Sequence, residues 1–387
     1  MASVTITSVH EPANPLAVAH TGEREVEGDQ LIKTDTNNDN DIINTLLNNF
    51  LYPQELKHNV FVPRFQQRIT IVKAWDILSL STSPPNGTNG ANGTNSAPHR
   101  PKDLHILDIG CGQGESAATM AALLQPHMHG ARLHITGIDT ARPDYGTPYT
   151  VAETHAHLTA SALGRHISFR REDAAAFFSP SRLSSPSPPG SWPSAANVDA
   201  VTLCHSLWYF PTPQSVADLF TTLAGARVPR VYLAEYSFRG SLPGGQQDAH
   251  ILAARAQALL HASVLEKLSA DSSQQNHQGR EPGPRAPNVR AALDVGSIVE
   301  AAAAAGWAVR RQGTFVPAAD MIEGHLEARL VVKDAFAEAV RAEGLSPERE
   351  HEVLGLVPGV KEAFARLAEA GVAKGRAMDV WWAELER

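Results

Sequence analysis

The sequence predicts an α/β fold built on a mostly parallel sheet, and three observations carry that prediction. Short apolar runs alternate with longer stretches of helical periodicity along much of the chain. One apolar run, which includes Ile106, Leu107 and Ile109, ends in a glycine-rich turn and is followed at once by a helical stretch. Later apolar runs end in polar residues, which is typical of open sheets that bind a ligand at the carboxyl ends of their strands.

The stretch from residue 105 to residue 115 reads HILDIGCGQGE and carries the clearest functional signal. Glycine tolerates positive φ angles and lets a ligand approach the backbone where a Cβ would collide with it. Free N–H groups at the start of a helix, with Asp108 nearby, are typical of a nucleotide-type site. The dinucleotide fingerprint G-x-G-x-x-G is not met, because its third glycine would fall at Glu115. This spacing disfavours a nicotinamide-linked oxidoreductase.

Four further predicted strands also lead into polar or sulfur-containing side chains. They are Arg132–Ile138 before Asp139, His166–Arg170 before Glu172 and Asp173, Val198–Leu203 before Cys204 and His205, and Arg230–Ala234 before Glu235. An acid at the tip of the second strand suits a ribose, since one carboxylate can accept hydrogen bonds from both hydroxyls.

Together these motifs resemble the class I S-adenosylmethionine (SAM)-dependent methyltransferases, which have a seven-stranded, Rossmann-like sheet. The segments QQRITIVKAW, DIGCGQGE, PDYGTPY and HSLWYFP are also similar to uncharacterised methyltransferase-domain proteins of filamentous fungi. The resemblance implies a doubly wound, mostly parallel seven-stranded sheet with helices on both faces, and SAM as the cofactor. It further implies that an acid after the third strand binds the adenine amino group. The cofactor-binding residues expected on this basis are Asp108, Gly110, Cys111, Gly112, Gly114, Asp139, Glu172, Asp173, Cys204 and Arg68.

The chain divides into four expected regions. Residues 1–40 are polar and predict a disordered tail, and residues 81–103 form a low-complexity loop. Between them, residues 41–80 predict an N-terminal helical lid, with Asp41 as the cap of its first helix and Pro63–Leu80 as its second. Residues 104–387 are the methyltransferase domain expected from the resemblance.

A helical insertion is expected within that domain, at residues 320–376, between a sixth strand (Trp307–Val316) and a closing strand (Met378–Leu385). In the family resembled, the closing strand is antiparallel at the sheet edge. The insertion could serve as a contact in a homodimer, as a wall of the pocket or as scaffold.

Composition and charge limit the classes of binding partner and the cellular compartment that we expect for this protein. A net charge of −8 and a pI near 6.1 argue against a nucleic-acid partner. With only two cysteines, no disulfide framework is expected, and no Cys/His cluster has the spacing of a metal site. No signal peptide is recognisable and no apolar run approaches the ~20 residues that span a bilayer, so we expect a cytoplasmic protein without a membrane partner.

The expected reaction is methylation of a small-molecule acceptor, with the choice among O, N and C left open, and the resemblance to fungal proteins suggests a place in specialised metabolism. His205 is the first candidate for a general base, because it follows the fourth strand and an imidazole titrates in the useful range. The alternative is a histidine whose backbone alone binds the cofactor. Glu235 and His250 are further candidates, and Tyr209 belongs to an aromatic run beside the same strand. Arg68 could bind the SAM carboxylate or be an ordinary surface arginine.

Three other functions compete with this one. A methyltransferase fold can serve a cyclase or pericyclase that uses SAM as a fixed charge and does not consume it. A non-catalytic SAM-binding protein is a second alternative, although the intact glycines and acids argue against it. A nicotinamide-linked oxidoreductase comes last, because of Glu115.

Overall fold

The computed structural model describes residues 36–82, 102–183, 195–270 and 289–387. Most of the expected tail (1–40) and of the low-complexity loop (81–103) lies outside these ranges. The described strands are β1 (Leu104–Ile109), β2 (Leu133–Asp139), β3 (Ile167–Arg171), β4 (Ala200–Cys204), β5 (Arg230–Tyr236), β6 (Ala308–Phe315) and β7 (Val380–Glu386).

The strands form one seven-stranded sheet in the order β3-β2-β1-β4-β5-β7-β6. Strands β1 to β5 pair in parallel, whereas β7 is antiparallel to both β5 and β6. The predicted doubly wound, mostly parallel sheet is thus confirmed. One detail differs from the expectation, since β7 lies between β5 and β6 and the edge strand is β6.

Helices connect the strands and cover both faces of the sheet. They are α1 (Thr36–Asn49), α2 (Val62–Trp75), α3 (Ser79–Thr82), α4 (Glu115–Leu124), α5 (Val151–Ala160), α6 (Ala174–Phe177), α7 (Pro180–Leu183), α8 (Pro213–Gly225), α9 (Asp248–Ala270), α10 (Val295–Ala304), α11 (Glu323–Val331), α12 (Asp334–Ala342) and α13 (Pro347–Glu369). Among the described residues no helix has both the length and the apolar character needed to cross a membrane.

Two boundaries in the helical lid differ from the prediction. Helix α1 begins at Thr36, so Asp41 is inside it and not its cap, and Asp39 in the first turn forms an ion pair with Lys73 of α2. Helix α2 ends at Trp75 instead of continuing to residue 80, because Asp76 adopts a left-handed conformation with φ of 52°. A residue in the left-handed conformation ends a helix and turns the chain away from the helix axis.

Alternation along the central strands separates two hydrophobic layers. In β5, Tyr232 and Ala234 belong to the layer that contains α1, α2 and α4, while Val231 and Leu233 belong to the layer beneath α8 and α10. Since successive side chains of a strand point to opposite faces, a strand buried on both sides reads as a continuous apolar run. The lid helices therefore pack directly on the sheet.

The helical insertion is confirmed as α11, α12 and α13, between β6 and β7. Its apolar residues, such as Ala328 and Val360, pack against Ala249 and Ala253 of α9. The first helix of the insertion, α11, thus lies near the carboxyl ends of the strands through its contact with α9.

A buried carboxylate joins the last three strands of the sheet. The side chain of Glu384 is fully buried in β7, where Oε1 accepts a hydrogen bond from Arg310 and Oε2 accepts one from Arg311, each at 2.6 Å. Arg311 also donates to the backbone oxygen of Trp75, the last residue of α2, at 2.8 Å. One ion-pair cluster therefore connects the lid helix to the sheet.

We predict that Glu384→Gln lowers the free energy of unfolding by about 1–3 kcal/mol, because it removes a buried charge and leaves arginine donors unsatisfied. The matched control is Glu386→Gln on the same strand. That side chain is 37% exposed and contacts Arg230 and Arg310, so its loss should cost about 0–1 kcal/mol. Denaturant unfolding of the two variants measures the difference, and equal effects would contradict a special role for Glu384.

Candidate active site

The glycine loop, residues 110–114, follows β1 and leads into α4. Its three glycines all have positive φ angles, of 68°, 52° and 92° for Gly110, Gly112 and Gly114. A Cβ at Gly110 would lie 2.6 Å from the Cβ of Ser206, and one at Gly114 would lie 2.8 Å from the ring of Phe169. A Cβ at Gly112 would meet no heavy atom within 4 Å. Gly112 is therefore the glycine of this loop that faces open space.

Asp108 lies within β1 and its side chain is part of the protein interior. The residue is 1% exposed, Oδ1 accepts a hydrogen bond from Thr202 at 2.8 Å, and Oδ2 accepts one from Ser116 at the start of α4. Burial raises the pKa of this carboxyl to about 6, although both hydroxyls act in the opposite direction. The structure thus places Asp108 between β1, β4 and α4 and away from open space.

Asp139 is the last residue of β2, beside the glycine loop. Its Oδ2 accepts the N–H of Gly112 and its Oδ1 accepts the N–H of Ala141, both at 2.8 Å. Each carboxylate oxygen has a second lone pair, so these bonds leave acceptor capacity at the strand tip.

The two acids after β3 both make local contacts. Glu172 forms ion pairs with Arg182 and, at 3.7 Å, with Arg170. Asp173 caps α6, where its Oδ1 accepts the N–H of Ala176 at 2.7 Å. Neither contact was expected from the sequence.

Both cysteines are buried free thiols. Cys111 lies in the glycine loop, and burial raises its thiol pKa well above the ordinary value. Cys204 ends β4, and burial raises its thiol pKa to about 12. Both therefore act as small neutral groups in the wall of the site.

His205 follows β4 in a left-handed conformation with φ of 51°, which is uncommon for a residue with a side chain. Its Nδ1 is 3.4 Å from Oε1 of Glu235, and its Nε2 is buried with no hydrogen-bond partner. Glu235 is itself 1% exposed and accepts the backbone N–H groups of Trp208 at 3.3 Å and Tyr236 at 3.1 Å. A carboxylate held in this way orients the imidazole with Nδ1 protonated and Nε2 able to accept a proton.

Aromatic rings surround this pair. The ring of Tyr236 lies 4.6 Å from that of His205 and 4.9 Å from that of His250, measured between centroids. Tyr209 is 47% exposed, so it contributes an accessible phenol beside the same strand.

His250 differs from the expectation that it could act as a base. Its Nδ1 accepts the N–H of Met378 at 3.0 Å, and its Nε2 lies 3.2 Å from Oε2 of Glu327. Because the backbone N–H can only donate, Nε2 carries the hydrogen and donates it to Glu327. Both ring nitrogens are therefore occupied, in a side chain that is fully buried.

A charged network closes the site between the lid and the insertion. Arg68 of α2 lies 3.5 Å from Oε2 of Glu115 and donates to Gln67 at 3.1 Å. Arg64, one turn earlier, pairs with Oε1 of Glu115 at 3.1 Å and also with Glu323 of α11. Arg68 is thus a largely buried member of an ion-pair network, with 11% of its side chain exposed, and not an ordinary surface arginine.

Glu323 is the residue of this network that links three elements. It accepts hydrogen bonds from Arg64 on α2 and from the Tyr236 hydroxyl on β5, the latter at 3.3 Å. Burial opposes its ionisation, but Arg64, Arg68 and His205 outweigh burial and lower its pKa to about 2.

The sheet order brings most of the expected site residues to one edge. From β3 to β5 the edge presents Asp173, Asp139, the glycine loop, Cys204 with His205, and Glu235. Asp108 and His250 are the two candidates whose polar atoms are all engaged inside the protein. The sequence reasoning missed Arg64, Tyr236 and Glu323. For Arg64 a signal existed, since it lies four residues before Arg68 on the same helical face.

We predict that Asp108→Asn removes a pH dependence of stability between about pH 4 and about pH 6. In this range the carboxyl stays protonated in the folded protein but is already ionised in the unfolded chain. Unfolding then releases a proton, so the contribution of Asp108 to stability falls as the pH rises. The stability of the variant relative to the native protein should therefore increase from pH 4 to pH 6.

Thermal unfolding at several pH values measures this difference. Asp103→Asn is the control, because hydrogen bonds from Arg132 outweigh burial and lower the pKa of Asp103, so its contribution to stability does not fall as the pH rises. A constant difference between Asp108→Asn and the native protein would contradict the prediction.

Comparison with known proteins agrees with this geometry. No family model matches the chain. A solved structure of a cyclopropane-fatty-acyl-phospholipid synthase-like protein from Lactobacillus casei superposes with a TM-score of 0.62 at 20% identity, and the match covers 91% of this chain and 99% of the other. At that identity the similarity shows the fold alone.

A curated relative is far more similar in sequence. It is "Methyltransferase phomM" from Diaporthe leptostromiformis, which is 99% identical over 387 residues, or 100% of both chains. Because the seven-stranded sheet and the glycine loop are also present, sequence and structure agree. The chain belongs to the methyltransferase family and has the α/β sheet of its class I members.

Proposed function

We propose that this methyltransferase transfers a methyl group from SAM to a small-molecule acceptor. The observation that carries the proposal is the order of polar groups along one sheet edge, from Asp173 through Asp139 and the glycine loop to His205. An adenine, a ribose and an amino-acid chain joined end to end need hydrogen-bonding groups in such an order. Neighbouring strands lie about 4.8 Å apart, so the edge from β3 to β5 spans ~19 Å.

Three features of the chain fit SAM and its acceptor. Open space beside Gly112 permits close approach to the backbone, and Ser206 presents a buried hydroxyl without a hydrogen-bond partner beside Gly110. His205 Nε2 is likewise buried without a partner at the end of β4. Buried polar atoms are usually satisfied, so these two atoms after β4 favour bound molecules there, SAM beside Ser206 and the acceptor beside His205.

Each part of the edge then has a distinct task. Asp139 accepts the ribose hydroxyls with its remaining lone pairs, and Glu172 and Asp173 bound the adenine end. The glycine loop and Cys204 hold the methionine portion, and Arg68 supplies positive charge for its carboxylate. Asp108 contributes indirectly, because its hydrogen bonds fix β1, β4 and α4 to one another.

SAM supplies an electrophilic methyl group on a sulfonium, and the chain has to align the acceptor with it and exclude water. His205 is the proposed base for an acceptor that arrives protonated, since its Nε2 is the free nitrogen. Glu235 holds the opposite nitrogen, so we assign it a positioning role. The imidazole takes up the acceptor proton and the carboxylate stabilises the resulting imidazolium.

The acceptor side is bounded by Tyr209, whose phenol is accessible, and by α11 of the insertion with Glu323 and Glu327. This assigns the insertion to the wall of the pocket. The name of the 99%-identical relative favours methyl transfer over a cyclase that leaves SAM unconsumed. The methylated atom, whether O, N or C, is left to experiment.

The cellular compartment and the oligomeric state of the enzyme are proposals as well. We place the enzyme in the cytoplasm, and we propose a homodimer contact through Leu326 and Leu330 of α11, which are 45% and 50% exposed and one helical turn apart. Sedimentation of the native chain and of a double Leu→Ser variant tests the contact. Identical monomeric profiles would rule it out.

Calorimetric titration with SAM is the test of the cofactor, followed by a screen of small-molecule acceptors for release of S-adenosylhomocysteine. Binding of SAM with acceptor-dependent release supports transfer. Turnover of an acceptor without such release would show cyclase-type chemistry, and absence of SAM binding would overturn the proposal.

We predict that Asp139→Ala weakens SAM binding by about 1.5–3 kcal/mol, because hydrogen bonds to a charged acceptor are lost. The control is Asp144→Ala, a nearby acid whose side chain is 66% exposed and paired with Arg142. Calorimetry on both variants makes the comparison. An unchanged affinity in Asp139→Ala would place the ribose elsewhere.

We also predict that His205→Ala reduces kcat by roughly 100-fold or more while changing SAM affinity little, since the imidazole would act on the acceptor proton. His127→Ala serves as the control because that histidine is exposed. Equal losses in kcat and in SAM affinity would make His205 a cofactor ligand instead of a base.

A further inference from the structure

The peptide groups on both sides of Gly112 are held by side chains from two different elements. The N–H of Gly112 is donated to Asp139 at the tip of β2, and its carbonyl lies 2.8 Å from Nε2 of His155 on α5. Because a carbonyl can only accept, Nε2 carries the hydrogen and His155 is the donor. The Asp139 contact follows from an expected site residue, whereas the His155 contact has no assigned purpose.

His155 is itself held in place by an aromatic ring. Its imidazole stacks on Phe169 of β3 with a centroid distance of 3.7 Å and an interplanar angle of 5°. Phe169 fits there because Gly114 and Gly137 have no Cβ, since one at either position would come within 2.8 Å of the ring. The stack therefore sets where the Nε2 donor points.

The start of α5 adds a second tie to the same loop. The side-chain amide of Gln113 donates to the backbone oxygen of Tyr149 at 2.6 Å, directly before the Thr150 cap of α5. The capping box between Thr150 and Glu153 fixes that end of the helix. The start of α5 is thus capped and tied to the loop.

The carbonyl contact determines the direction of a neighbouring donor. The C=O of Gly112 and the N–H of Gln113 belong to one planar trans peptide, so they point in opposite directions. A carbonyl directed at α5 turns the Gln113 N–H away from α5. Without the contact, the peptide beside an open glycine could rotate, since Gly112 has little steric restriction.

We infer that His155 is a positioning residue that fixes the Gly112–Gln113 peptide of the glycine loop for cofactor binding. The inference rests on the proposed function, because it names the cofactor of that same site. Burial lowers the pKa of His155 below its ordinary value, so the ring is neutral and its single N–H is committed to Gly112.

His155→Phe is the informative variant, because a phenyl ring keeps the stack on Phe169 but cannot donate. We expect its dissociation constant for S-adenosylhomocysteine to rise roughly 3- to 10-fold, the effect of one neutral hydrogen bond. KM for SAM should rise with kcat retained. Amide exchange at residues 112–114 of the ligand-free protein should be faster than in the native protein.

Two companions separate positioning from folding. His155→Gln supplies an amide donor without an aromatic ring and should recover most of the lost affinity. His157→Phe, an exposed position on the same helix, should match the native protein in binding, exchange and melting temperature.

The outcomes are distinct. If the native protein binds S-adenosylhomocysteine and His155→Phe binds it with the same affinity, the inference is overturned and the proposed function stands. Equal losses in the Phe and Gln variants, with melting temperatures lowered alike, would make His155 a purely structural residue and also overturn it. Failure of the native chain to bind S-adenosylhomocysteine would overturn the proposed function, and the inference with it.

Discussion

Close approach of backbone to its neighbours is the constraint on which this site depends. Gly110 rests against Ser206 at the end of β4, and Gly114 rests against Phe169 of β3, at distances that leave no room for a Cβ. Of the three glycines in the loop, only Gly112 faces open space. Gly110 and Gly114 therefore serve the packing of the loop against the end of β4 and against β3, while Gly112 leaves room beside the backbone. One short motif thus meets a packing requirement and leaves an open position between the two packed ones.

Charge organises the side of the site opposite the sheet. Arg64 and Arg68 lie one turn apart on α2 and reach Glu115 on α4, while Arg64 also reaches Glu323 on α11. The lid, the helix after the glycine loop and the insertion are therefore joined by one set of ion pairs. The attraction within an ion pair is stronger where water is excluded, and each partner also compensates a charge that would otherwise be buried alone.

Much of the fold was accessible from the sequence because periodicity reports local burial. The five parallel strands, β6 and β7 were expected close to their observed positions, and the insertion was expected to be helical, although its division into three helices was not. The position of β7 inside the sheet was not expected, because strand order depends on pairing between distant segments. The start of the first helix was misplaced at Asp41. The end of the second helix was misplaced at Leu80, because Asp76 leaves the helical region and no glycine or proline indicates this in the sequence.

The site was predicted less evenly, for a related reason. Residues that follow a strand were found, because strand ends are visible in the sequence and meet at one edge. Glu323 and His155 reach the site from helices far away in the chain, and their neighbours in sequence carry no sign of it. His250 looked available for catalysis, yet contacts with Met378 and Glu327 occupy both of its nitrogens. Partners of that kind become known only from the tertiary structure.

The acids of this edge show that distance from the strand end decides what a carboxylate does. Asp108 lies inside β1, two residues before the loop, and burial keeps its pKa near 6, so it serves packing. Asp139 lies at the strand tip, where backbone N–H groups hold it and spare lone pairs remain. Glu235 is buried one residue before the end of β5 and directs its oxygens at His205 and the backbone. The carboxyl group therefore braces three elements at Asp108 and orients an imidazole at Glu235, while Asp139 is the proposed ligand acceptor. A one-residue shift along any of these strands would turn the side chain to the opposite face, so the position along the strand decides which of these roles a carboxylate can take.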